Sequence, residues 1–222
     1  MHIILFGATG MVGQGVLREC LLDPEVAGVL VITRSATGVR DAKVREIVHR
    51  DFFDFSPIAE QLAGYDACLF CLGVSSAGMK EAEYRRLTYD MTIAAARAVV
   101  ERNPGMTFIY VSGAGTDSTE RGRSMWARVK GQTENELLRM PFKAAYMFRP
   151  GYIQPMHGIR SKTGWYRAMY AVVTPLYPLL QRLFPAQVTT TEQLGRAMVA
   201  VAKRGAPKRI LETIDISTAM VD

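Results

Sequence analysis

The chain has 222 residues, 49% of them hydrophobic and 22% charged. That composition excludes disordered, collagen-like and membrane-spanning classes and can bury a core without disulfides or a structural metal. Lys and Arg outnumber Asp and Glu by 27 to 21, a formal charge of +6 that favours anionic partners such as a phosphorylated cofactor, and the three cysteines, Cys20, Cys68 and Cys71, fit a reducing, cytoplasmic setting better than a disulfide framework.

The chain opens directly on a strand-like run, His2 to Phe6, with no basic and apolar leader ahead of it, so no cleaved segment is expected. Gly7-Ala8-Thr9-Gly10-Met11-Val12-Gly13 follows at once. A helical pattern, Met11 to Leu22, opens from this run and stops at Asp23-Pro24. At the first strand-to-helix junction of an alternating chain, such a run is a dinucleotide signature. Gly7 permits the tight turn, Gly10 lets the backbone approach a pyrophosphate, and Gly13 allows close packing of helix on strand. The phosphates rest on the helix N-terminus, at Thr9, Met11 and Val12, where free N–H groups and the dipole favour anions.

Val29 to Thr33 reads as the second strand. Its end, Thr33-Arg34-Ser35, lacks the carboxylate that would take a ribose 2′-hydroxyl, and the Arg34 guanidinium can fork onto a 2′-phosphate; NADP is favoured over NAD. The third strand, Val44 to Val48, leads to Asp51-Phe52, where a carboxylate can accept from the adenine amino group and the next amide can donate to the ring. A short helical pattern, Ser56 to Leu62, precedes the fourth strand, Ala67 to Cys71. Cys68 and Cys71 have C-x-x-C spacing, but residues three apart on a strand face opposite ways, so they read as buried inert thiols. Leu72-Gly73 then lets the backbone pass close to the adenosine half, since glycine has no side chain to collide.

The longest helical pattern, Glu81 to Arg102, ends at Asn103-Pro104-Gly105. Tyr84, Arg85 and Arg86 at its start read as solvent or partner contacts. The fifth strand is Thr107 to Val111. A helix over Gly122 to Leu138 carries Arg121, Arg123, Arg128 and Lys130 at and around its start; without interleaved aromatics these read as a solvated face plus cofactor contacts, and no nucleic acid is expected. Met140-Pro141 stops it before the sixth strand, Ala144 to Phe148.

Short apolar strands alternating with helices predict an α/β fold of Rossmann type: a doubly wound parallel sheet with helices on both faces, in one domain over residues 1–222. After Arg149-Pro150-Gly151 the alternation fails, and residues 151–190 read as a small cap on the substrate side before a last helix, Thr191 to Lys203. Within the cap, Trp165 to Phe184 is an aromatic stripe that reads as a wall over the substrate cleft, with a subunit contact or an interfacial membrane helix as alternatives. Pro175, Pro178 and Arg182 interrupt it, so it falls short of a membrane span. His2, His49 and His157 lack metal-ligand spacing, and no metal is expected.

These residues resemble the short-chain dehydrogenase/reductase superfamily, and within it the atypical NAD(P)H-binding branch of NmrA-like and Tat-interacting-protein-like proteins. The resemblance rests on Gly7 to Gly13, Cys71-Leu72-Gly73, Val111-Ser112-Gly113 with Lys130 downstream, and Arg149-Pro150-Gly151, over roughly the first two thirds of the chain. It implies that Ser112 orients a substrate carbonyl, that Lys130 holds the nicotinamide ribose, and that Pro150 lies against the cofactor. It also implies a tyrosine four residues before the lysine as general acid. Trp126 stands there, and an indole does not titrate usefully. Tyr152, Tyr84, Asp117, His157 or water is left to supply the proton, with Tyr152 directly after the Arg-Pro-Gly turn. Relatives also imply a homodimer through the alanine-rich helix around Ala94-Ala95-Ala96. Two readings remain: an NADP(H)-dependent oxidoreductase or epimerase-like isomerase acting on a small, partly apolar carbonyl compound, or a catalytically silent NADP(H) sensor or scaffold.

Overall fold

The computed structural model describes residues 1–159, 177, 182–184 and 186–219. Among them the strands, in chain order, are β1 (His2–Phe6), β2 (Gly28–Thr33), β3 (Val44–Val48), β4 (Ala67–Phe70), β5 (Thr107–Val111), β6 (Ala144–Arg149), β7 (Tyr152–Gln154), β8 (Val188–Thr190) and β9 (Ile210–Glu212). Seven form one sheet in the order β3-β2-β1-β4-β5-β6-β9, and β7 pairs with β8 apart from it. Every pairing is parallel. The central strands are apolar on both faces because both are covered. Ile3, Leu5, Val31 and Leu69 go to one layer, with Val16 and Leu17 of α1 (Met11–Leu22) and Leu194 and Met198 of α5 (Thr191–Arg204). Ile4, Phe6, Ile32 and Phe70 go to the other, with Ile93 and Ala96 of α3 (Met91–Arg102) and Leu137 of α4 (Met125–Arg139). Cys68 lies in this second layer and Cys71 packs against the first, so the two thiols face opposite ways.

The winding reverses between β1 and β4. Phe6 stands opposite Ile32 on one side and Phe70 on the other, so three strands end level where the crevice of a doubly wound sheet opens. α1 and α5 cross almost backbone to backbone: a Cβ on Gly15 would meet the Thr191 Cβ at 2.7 Å, and one on Gly195 the Glu19 Cγ at 2.8 Å. Thr190 starts α5 with a reciprocal cap, accepting from the Gln193 amide while the Gln193 side chain accepts from the Thr190 amide.

Besides the β7–β8 pair, the structure departs from the expected elements in four places and buries one residue expected at the surface. β9 is a seventh sheet strand and leads into a short helix, α6 (Thr213–Thr218). Ser56–Leu62 is a 3-10 helix rather than an α-helix. The long helix is α2 (Glu81–Arg85), a π turn (Arg86–Asp90) and α3, with Arg85 reaching Asp90 five residues on. α4 starts at Met125 rather than Gly122, because the Asp117 carboxylate takes the amides of Thr119 and Gly122 and holds that stretch in a loop. Tyr84 is 2% exposed, since α2 and the π turn pack on α4 and turn it inward; Arg85 and Arg86 are exposed. Of the aromatic stripe, only Tyr177, Leu183, Phe184 and Arg182 lie within the described residues. No helix among the described residues is long and apolar enough to cross a membrane.

Candidate dinucleotide site

The first crossover is built by backbone contact. Gly7 has φ +84°, and a Cβ there would lie 2.7 Å from the Cys71 carbonyl carbon and the Leu72 nitrogen, so the exits of β1 and β4 touch only because it is glycine. A Cβ on Gly13 would lie 2.1 Å from the Gly7 oxygen, which seats α1 on the turn. Gly10 donates its amide to the Gly7 oxygen at 2.9 Å. Its own backbone is ordinary, φ −80° and ψ 164°, and its nearest neighbour would be 3.3 Å from a Cβ. A methyl at position 10 would thus be tight against the Gly7 oxygen but far less crowded than one at position 7 or 13. α1 has neither a side-chain cap nor an acidic residue in its first turn, so the amides after Gly10, those of Met11 and Val12, face an unmet demand for acceptors. The Thr9 carbonyl accepts from Gln14 Nε2 at 3.2 Å.

The carboxyl ends of β2, β3 and β4 border this cradle. Arg34 is exposed, and no carboxylate pairs with it among the described residues. Thr33 Oγ donates to the Ser35 carbonyl at 2.8 Å and folds the turn around Arg34. Asp51 accepts the Phe53 amide at 2.9 Å through one oxygen and is otherwise exposed. The Phe52 ring is 2% exposed and packs on Phe6 at 6.1 Å, so only its backbone is offered to a ligand. Leu72 packs on the core, while Gly73 has nothing within 4 Å of a would-be Cβ. A cavity of about 560 Å³ runs along α1, lined by Thr9, Gln14, Leu17, Arg18, Val39 and Ile159. It shares Ala8 and Thr9 with the glycine turn and reaches Ala36 and Thr37 beyond the end of β2, but none of Arg34, Asp51 or Gly73 lines it.

Beyond β5 lies a buried polar knot. Ser112, 9% exposed, donates to Glu134 of α4 and, at 3.1 Å, to the Phe148 carbonyl. Glu134 is fully buried and paired with Arg149, which also reaches Ser118 and, at 3.4 Å, Glu212. The Ser112 proton is therefore directed at Glu134. Pro150 is buried and its carbonyl accepts the Ala114 amide at 2.9 Å, tying the Arg-Pro-Gly turn to the loop after β5. Gly151 is pressed against the Gln187 oxygen, 2.3 Å from a would-be Cβ.

Lys130 takes no part in this knot. Its Nζ lies over the Tyr110 ring, 5.4 Å from the centroid, and no carboxylate comes within ion-pair distance of it among the described residues. Burial pulls its ammonium down to a pKa of about 8 against a weaker lift from Glu134. Trp126, one turn earlier, lies against Gly115. Tyr152 donates to Gln154 at 2.9 Å, and burial raises its phenol. Asp117 is held down in pKa by the Thr119 hydroxyl and the Gly122 amide. His157 pairs with Glu192 at 2.6 Å at the start of α5. The knot of Glu134, Arg149 and Ser118 was missed by the sequence reading. Its one signal is a carboxylate four positions after Lys130, which reads as an intrahelical pair, whereas Arg149 of β6 claims it.

An uncapped helix at the switch point of an open parallel sheet, seated there by Gly7 and Gly13, defines a dinucleotide-binding fold. Residues 7–144 match the model of the NAD(P)H-binding family, and the chain belongs to that family. It is similar to protein FMP52-1, mitochondrial, of Scheffersomyces stipitis, 26% identical over 197 residues that cover 85% of this chain and 84% of that protein. It is also similar to protein FMP52, mitochondrial, of Candida albicans, 22% identical over 92% of this chain and 89% of that protein. Among solved structures, the dTDP-glucose 4,6-dehydratase DesIV of Streptomyces venezuelae, with NAD and TYD bound, matches with TM-score 0.69 at 16% identity, over 100% of this chain and 80% of that one. An oxidoreductase of the short chain dehydrogenase/reductase family from Burkholderia thailandensis matches with TM-score 0.67 at 16% identity, over 90% of this chain and 84% of that one. The solved structures share the fold. The mitochondrial relatives overturn the cytoplasmic expectation, because three free cysteines point to a reducing setting and not to which compartment provides it.

Proposed function

We propose that this chain is an NADP(H)-dependent oxidoreductase acting on a small, partly apolar carbonyl compound. The observation that carries the reading is that the cradle is furnished beyond the needs of the fold. Gly73 is a glycine the chain does not itself demand, Gly10 is less constrained than Gly7 or Gly13, and Arg34 and Lys130 are cations without a carboxylate partner among the described residues. When bound, the reduced nicotinamide supplies a hydride. The α1 amides take the diphosphate, Arg34 forks onto the 2′-phosphate, Asp51 and the Phe52 amide meet the adenine, and Lys130 stands at the nicotinamide end. Ser112, whose hydroxyl donates to Glu134, positions the loop after β5 rather than the substrate. Mitochondrial association, as in the relatives' names, goes with this reading and is checked by cell fractionation.

The test is calorimetric titration with NADPH and NADH. A charge-assisted phosphate contact of about 1.5–3 kcal/mol predicts NADPH binding some tenfold to hundredfold tighter, with Arg34→Asp reversing the preference. Equal affinities that Arg34→Asp leaves unchanged would remove Arg34 from the site, and no heat with either nucleotide would overturn the reading. A second reading, a silent NADP(H) sensor, is favoured by Trp126 and by the engaged Ser112 hydroxyl. Tight NADPH binding without turnover of any carbonyl in a broad panel would select it.

A further inference from the structure

We propose that the cavity along α1 is a binding site for a free monocarboxylic acid with an aliphatic chain of medium length, held by its chain against the helix and by its carboxylate at Arg18. The site stands apart from the nucleotide cradle and needs no nucleotide to be filled.

Three elements wall this cavity, and each is held in place. α1 supplies Leu17, Leu21 and Leu22. The loop after β2 supplies Val39 and is pinned to β3, where Thr37 donates its amide and its hydroxyl to Glu46 at 2.9 and 2.6 Å. The chain after β7 supplies Ile159, from a stretch anchored by the Met156 amide on the Thr191 hydroxyl at 3.0 Å and by His157 on Glu192. The space is therefore preformed, and its volume of about 560 Å³ is that of a small-molecule site. Leu22 and Val39, from two different walls, stay 60% and 41% exposed, among the few large apolar side chains that the described residues leave in water. An aliphatic ligand would take both out of it.

The lining is polarised along the helix. Leu21 and Leu22 lie at the C-terminal end of α1, Thr9 and Gln14 lie by the glycine turn, and Arg18 falls between them, at a position from which helical side chains lean back towards the N-terminus. From Gln14 to Leu22 the helix rises about 12 Å, the length of a medium aliphatic chain. Charge then selects the head group. Arg18 is the one ionic residue of the lining, and no carboxylate lines the cavity beside it among the described residues. Its partner Glu19, 5% exposed, is shared with Arg196, and the next carboxylate, Glu192, is taken by Arg196 and His157. The Gln14 side-chain nitrogen is already given to the Thr9 carbonyl. Arg18 thus keeps guanidinium N–H groups for a further acceptor, and a carboxylate fits that fork. A cationic head would be repelled, and a sugar would leave Leu21, Leu22 and Val39 unmatched.

Calorimetry on the protein without nucleotide tests this with a chain-length series. Each methylene buried is worth about twofold to fourfold in affinity, so decanoate is expected to bind about tenfold or more tighter than hexanoate. It should also bind about tenfold or more tighter than decan-1-ol, which has the chain without the charge. Arg18→Gln keeps a polar side chain and removes the cation; it should weaken decanoate by about tenfold or more and leave decan-1-ol within about threefold of the parent. Val39→Asp, at an exposed loop position, should weaken both ligands. No heat with decanoate at millimolar concentration, equal affinity for decan-1-ol, or decanoate binding that both variants leave within about threefold of the parent overturns the proposal. Should either variant melt well below the parent, a decanoate carrying a diazirine, photolysed with the parent and mapped by mass spectrometry, decides. Adducts within residues 17–22 or 36–39 support the site, and adducts confined elsewhere overturn it. A parent that binds decanoate and neither nicotinamide nucleotide upholds this site and overturns the nucleotide reading alone.

Discussion

An alanine methyl at position 13 would fall 2.1 Å from the Gly7 oxygen, so α1 would have to lift from β1. At position 10 the same methyl meets its nearest neighbour at 3.3 Å on ordinary backbone. Gly13→Ala is therefore expected to lose about 1–3 kcal/mol of stability. Gly10→Ala should stay within about 1 kcal/mol of the parent and lose NADPH binding instead. Urea melts beside calorimetric titrations check both. Thr88, on the π turn, has a buried hydroxyl without a partner among the described residues. Thr88→Val keeps the shape and removes that desolvation penalty, so it should stabilise by about 1 kcal/mol, read as a higher urea midpoint at unchanged slope. At this scale the glycine turn and Arg34 are legible in the sequence, because their residue types are set by local backbone geometry and by the strand end. Tyr84 was readable too: Tyr84, Thr88, Met91 and Ala95 recur at helical spacing and all are buried. The solvent or partner reading followed Arg85 and Arg86 and missed that phase.

Glu134 joins α4 to β6 and, through Ser112, to β5. Glu134→Ala leaves Arg149 buried without its main anion and is expected to cost about 3–5 kcal/mol. Glu134→Leu combined with Arg149→Met should recover much of that loss in urea melts, since the penalty belongs to the stranded charge rather than to the lost pair. No sequence spacing announces this knot, because its partners come from elements whose approach only the assembled sheet decides. The strands from β1 to β6 were legible to within a residue or so, because burial on both faces writes a nearly unbroken apolar run in all of them but β3, whose Val-Arg-Glu-Ile-Val has no fully buried residue. β9 was not: Ile210-Leu211-Glu212 is too short to show a period, and its strand character comes from pairing with Met147 to Arg149. The 3-10 form of Ser56–Leu62 and the π turn share an apolar spacing with the α-helix and differ only in hydrogen bonding, which sequence patterns do not encode.

Across the whole molecule, Lys130 makes stability depend on pH in a direction that can be worked out. Its folded pKa, about 8, lies below the ordinary 10.5. Below pH 8 both folded and unfolded chains carry the charge, and the full cost of burying it is present. Between pH 8 and 10.5 the folded state sheds its proton first, so stability rises with pH, by up to about 3 kcal/mol. Lys130→Met should accordingly melt at a higher temperature than the parent at pH 7, with the gap closing above pH 10.5. A charge kept at such a cost is what a working site, rather than a scaffold alone, leads one to expect.

The three-residue ladder between β7 and β8 fastens both ends of everything that lies between Gln154 and Val188. Closing a loop costs only about 0.6 kcal/mol more for each doubling of its length. Exchanging the residues between these two strands should therefore cost the fold little, and a graft from a distant relative, spliced at β7 and β8, is expected to keep the recipient's nucleotide preference.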